Sequence, residues 1–79
     1  MKNSIIVCEY GWIIIGKITE TKDGEIKVTE GSIVRSWGNG RGIGALAKEE
    51  HKNEYMLDYI GDVNIMQSKA LFVIPCDWS

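Results

Sequence analysis

A chain of 79 residues holds one small domain and excludes the large multi-domain enzyme folds. With 44% hydrophobic and 25% charged residues it is neither disordered nor fibrous. Nine basic against eleven acidic residues, a net charge of −2, argue against a surface that wraps nucleic acid or anionic lipid as a whole.

Ser4 to Tyr10 reads as a strand, because Ile5-Ile6-Val7 is continuous and β-branched. Gly11 permits a bend, and Trp12 to Glu20 reads as a second strand carrying Ile13-Ile14-Ile15. Asp23-Gly24 supplies the positive φ angles of a tight hairpin. Glu25 to Glu30 alternates, with Ile26 and Val28 on one face. Gly31-Ser32 interrupts as a bulge or kink, and Ile33 to Trp37 continues the strand. A period of two places Ile33, Arg35 and Trp37 on one face. Four glycines then fall between Gly38 and Gly44. Ala45 to Glu50 reads as a short helix, with Ile43, Leu46 and Ala47 on its apolar stripe. Tyr55 to Ile60 and Val63 to Met66 are weaker strands separated by Gly61-Asp62. Lys69 to Cys76 is a firm strand, and at Pro75, which cannot donate to a ladder, the chain leaves the sheet or runs along an edge.

The expected fold is a mainly β (α+β) single domain over residues 1–79. It is a small antiparallel sheet or open barrel of five to six strands, with one short helix inserted after the third or fourth. Ile13, Ile14 and Ile15 cannot all face one small core, and a second copy of the chain is the simplest cover for the outward face. A homo-oligomer, most simply a dimer, is expected. The initial apolar run is too short for a secretory signal, and no stretch approaches a transmembrane helix. Location in the cytoplasm is therefore expected, with Cys8 and Cys76 as reduced, buried thiols outside any metal or redox spacing.

The glycine-rich segment is the main chemical signal. Glycines let backbone N–H groups converge on an anion, and the guanidinium groups of Arg35 and Arg41 suit phosphate or carboxylate. Trp37 can stack on a ring, and Asn39 both donates and accepts. The candidate ligand-binding set is Arg35, Trp37, Asn39, Gly40, Arg41, Gly42 and Gly44. The same run also reads as a mobile connection with Trp37 in the core and Arg41 solvated, and spacing alone leans that way. No Gly-Lys-Ser/Thr motif is present. Gly42-Ile43-Gly44-Ala45-Leu46-Ala47 matches G-x-G-x-x-A in a chain too short for the dinucleotide-binding unit. His51, the only histidine, sits in a charged run without a nucleophile partner. No catalytic residues, metal ligands or cofactor are expected, and a binding module is favoured over an enzyme.

Taken in order, these features resemble a family of short phage-encoded β domains of unassigned function. The residues that carry the resemblance are Val7 to Tyr10, Gly11 and Gly16, Asp23-Gly24, Arg35-Ser36-Trp37, Asn39-Gly40, Leu46-Ala47 and Ile74-Pro75-Cys76. The chain departs from that pattern after Trp37, where Gly38-Asn39 replaces a second aromatic, and in a shorter, glycine-richer approach to the helix. By analogy with phage sponge proteins, the resemblance implies an anti-defence protein of the host bacterial cytoplasm. It would sequester a small anionic, nucleotide-type immune messenger without chemistry, with no nucleic-acid or membrane partner. The alternative is a protein-interaction module that inhibits a host protein through an exposed β edge or aromatic patch. A minor hydrolase acting on the same nucleotide is a third reading.

Overall fold

The computed structural model describes residues 1–36 and 40–79. Five antiparallel strands make one sheet: β1 (Ser4–Cys8), β2 (Ile13–Lys22), β3 (Glu25–Ser36), β4 (Met56–Met66) and β5 (Ala70–Pro75). Their order is β4-β3-β2-β1-β5, which leaves β4 and β5 as the two edges. The expected mainly β fold is the one observed. The expected helix is two short 3-10 turns after β3, Gly44–Ala47 and Glu49–Glu54.

Local chemistry explains the strand boundaries. Asp23 and Gly24 both take positive φ, 54° and 79°, and form the two-residue loop between the paired Lys22 and Glu25. Gly31 sits at the expected interruption of β3, while Gly61 does not divide two strands as expected but lies within β4. They face one another across β3 and β4, and each strand runs on past them. The ladder shifts register between Val28 and Gly31 and again before Ser32, beside Glu30 at φ 52°. This is a bulge, and it bends the sheet sharply. The bend needs bare backbone: a Cβ at Gly16 would stand 2.5 Å from Val28 Cγ1, and one at Gly31 would stand 2.9 Å from the Gly61 carbonyl oxygen.

The alternation of β1 and β2 feeds two cores, one on each face. Ile6, Cys8 and Ile14 pack with Ile26, Val28 and Ile65. Ala70, at the start of the β5 edge, joins the same cluster as Ile65 of the β4 edge, so the sheet curls into an open barrel around this core. Ile5, Ile13 and Ile15 face the other way and pack with Val34, Leu46, Ala47, Tyr55 and Cys76. The outward face of the isoleucine run is thus covered by the chain's own 43–55 segment, and the expected cover by a second copy is not needed there. The carboxy-terminal residues fasten that segment. The Asp77 N–H donates to the Ala47 carbonyl at 2.8 Å, the Trp78 indole N–H to the Leu46 carbonyl at 2.8 Å, and the Glu49 N–H to Asp77 Oδ1 at 2.8 Å.

Cys8 and Cys76 are both buried and free. β1 and β5 do pair, yet Cys8 lies opposite Ala70, and the two thiols belong to the separate cores. Burial pushes both thiols up. That of Cys76 reaches about 11 through burial first and the neighbouring Asp77 carboxylate second, and Cys8 moves in the same direction through burial.

Candidate functional site

The glycine-rich segment was the expected site. Trp37, Gly38 and Asn39 lie outside the described residues. Gly40 and Gly42 take positive φ, 77° and 76°, with no atom of the described residues near where a Cβ would stand. Gly44 opens the four-residue 3-10 turn, which is too short to build a helix dipole of consequence. The Tyr55 hydroxyl donates to the Gly42 carbonyl and ties the segment to the start of β4.

The two arginines are held by different carboxylates. Arg35, near the end of β3, donates through Nη2 to Asp58 Oδ2 at 2.8 Å and through Nε to the same oxygen at 3.3 Å. Arg41 donates through Nε to Glu54 Oε1 at 2.9 Å. Glu54 Oε2 also lies 3.0 Å from His51 Nδ1. Each arginine of the expected anion cradle is thus paired with a carboxylate, in the case of Arg35 and Asp58 between side chains about half exposed.

A second constellation lies at the β1–β2 bend, where the sequence reading saw only a strand end, a glycine and a strand start. Tyr10 sits at φ 61° and Gly11 at φ 78°. This left-handed step is uncommon for a bulky residue. It leaves the Tyr10 side chain 94% exposed, with Trp12 54% exposed beside it. Two recesses adjoin this pair. One, of about 330 Å³, is lined by both aromatics together with Glu9, Ile14, Asn64 and Lys69 among others. The other, of about 260 Å³, is lined by both aromatics together with Ile13, Ile33, Val34 and Arg35. Lys69 lies 3.5 Å from Glu9. The signal in the sequence was the triplet Tyr10-Gly11-Trp12, two aromatics held apart by a residue free to turn.

Apart from Met1, the other exposed large apolar side chains of the described residues collect on the two sheet edges: Met56, Tyr59, Ile60 and Met66 on β4, and Leu71, Phe72 and Val73 on β5. Among the described residues no three His, Cys, Asp or Glu side chains gather to hold a metal ion. Nor is any helix among them long and apolar enough to cross a membrane.

No protein-family model matches the chain, and no curated protein matches its sequence. Solved structures do. A heptameric archaeal Sm protein, described for its implications for the eukaryotic snRNP core, superimposes with a TM-score of 0.64 at 11% identity over 94% of this chain and 84% of its own. The P. aerophilum SmAP1 heptamer gives the same score and identity over 94% of this chain and 77% of its own. These neighbours bear on neither the phage family nor its sequence pattern. The likeness to heptameric Sm proteins overturns the expected function, both the sponge for a nucleotide messenger and the inhibitor of a host protein. The expected absence of a nucleic-acid partner falls with them. Its premise was net charge, which disfavours wrapping by a whole surface and leaves a local contact open. The expected homo-oligomer fits neighbours that are heptamers. The chain has a small Sm-like β fold.

Proposed function

We propose that this chain is the subunit of an Sm-type homo-oligomeric ring that associates with RNA and acts by binding, not by catalysis. The observation that carries the reading is the match of 94% of the chain to subunits of Sm heptamers. The sheet itself agrees. It is open, its edges β4 and β5 are unlike each other, and both carry exposed apolar side chains. Unpaired edges of this kind template pairing with another chain. Joining β4 of one copy to β5 of the next is a head-to-tail contact, and such contacts close into rings when the rotation per step allows.

Light scattering on the pure protein tests the assembly, with a discrete mass several times 8.9 kDa as the expected result. Titration with labelled single-stranded RNA tests the association. A stable monomer at micromolar concentration that binds no RNA would end the reading.

A further inference from the structure

We propose that Tyr10 and Trp12 form a stacking platform for two unpaired bases of single-stranded RNA, with Arg35 and Lys69 contacting phosphates on its two sides. The proposal rests on the RNA-associated reading above and deepens it by naming the form of RNA and the residues that receive it.

Three observations meet at this bend. First, both aromatics stand in solvent. An exposed Tyr at φ 61° is a strained conformation, and strain of this kind persists where the surrounding structure enforces it and clusters at binding sites. Second, the same two side chains line recesses of about 330 and 260 Å³. These lie near the lower end of ligand-pocket volumes, roughly 300 Å³, which suits one ring system apiece. The mostly apolar walls of the first recess fit the face of a base, and stacking accepts any base because each has a π-face. Third, each recess includes one cation, Lys69 in the first and Arg35 in the second. Both are paired with carboxylates, Lys69 with Glu9 at 3.5 Å and Arg35 with Asp58 at 2.8 Å, in side chains that are a third or more exposed. Exposed pairs hold weakly, so either cation turns to a phosphate at small cost. Asn64 and Glu9, on the first recess, supply hydrogen-bonding groups for a base edge.

The test uses the full chain with fluorescein-labelled oligouridylate and oligoadenylate. Tyr10→Ala and Trp12→Ala should each weaken binding roughly 5- to 100-fold. Trp12→Phe, which keeps a stacking face, and Lys48→Ala, at an exposed position outside both recesses, should bind like the wild type. Circular dichroism and light scattering on each variant report fold and assembly. Photocrosslinking of wild-type protein to 5-bromouridine-substituted RNA should map to the peptide containing Tyr10 and Trp12. If wild-type protein binds neither RNA, the RNA-associated reading fails and the platform with it. If wild-type protein binds and both alanine variants bind equally well, or the crosslinks map elsewhere, the platform alone is overturned. If the alanine variants lose their assembly state along with binding, the bend is a contact between copies and the platform is likewise overturned.

Discussion

Gly16 shows how a single residue decides the curl of the sheet. Its missing side chain lets β2 cross β3 where Val28 Cγ1 would lie 2.5 Å from a Cβ, with the Gly31 Cα and the Thr29 carbonyl oxygen each at 3.0 Å. Gly16→Ala should therefore cost about 1–3 kcal/mol, as overpacking does, read as a lowered urea midpoint. Gly44→Ala, with open space at its Cβ and no positive φ, should change the midpoint little. The sequence held the glycine without its contacts, since close approach depends on which strands pair. The cysteines make a pH prediction. The folded state holds the Cys76 proton up to about 11, against an ordinary 9.0. The unfolded chain thus loses this proton first, and the linked stability is whole below pH 9 and falls as pH rises toward 11. Urea midpoints of the wild type and Cys76→Ala, compared at pH 8 and pH 11, should converge as pH rises.

The 43–55 segment carries the largest difference between sequence and structure at the scale of elements. Its apolar stripe was legible, and Leu46 and Ala47 are buried as the stripe requires. Its helix type was not: the segment folds as two short 3-10 turns, Gly44–Ala47 and Glu49–Glu54, parted by Lys48 in an extended conformation. What it covers was also hidden. The run Ile13-Ile14-Ile15 announces two buried faces, yet only the fold reveals that one chain fills both. Strands were legible wherever β-branched residues cluster. The bulge at Gly31 was legible, whereas Gly61 read as a break between two strands and instead faces Gly31 inside one ladder. The candidate site was less legible. Positive charge near glycines was visible, whereas the Asp58 and Glu54 partners that pair with it come from residues distant in sequence. Leu46 is fully buried between the turn and the sheet. Leu46→Ala should cost about 2–5 kcal/mol, measured by chemical denaturation. A much smaller loss would mean that the segment lies loosely on the isoleucine face.

At the scale of the whole molecule, the unlike edges make assembly a directional problem. A β4-to-β5 contact uses two different surfaces, so a copy with one blunted edge still offers the other. Lysine on an edge strand opposes pairing by charge and by desolvation. Two variants separate the edges: Met56→Lys with Tyr59→Lys on β4, and Leu71→Lys with Phe72→Lys on β5. All four positions are more than half exposed, so the fold should survive, as circular dichroism would report. Each double variant alone should scatter as a monomer of about the wild-type 8.9 kDa, since neither can offer both halves of the contact. Mixed in equal amounts, the two should stop at a dimer that joins the intact β5 of one to the intact β4 of the other. Pairing of like edges predicts the opposite pattern, in which one variant dimerises alone and mixing adds nothing. Full-sized assemblies from either variant alone would show that the sheet edges are not where copies meet.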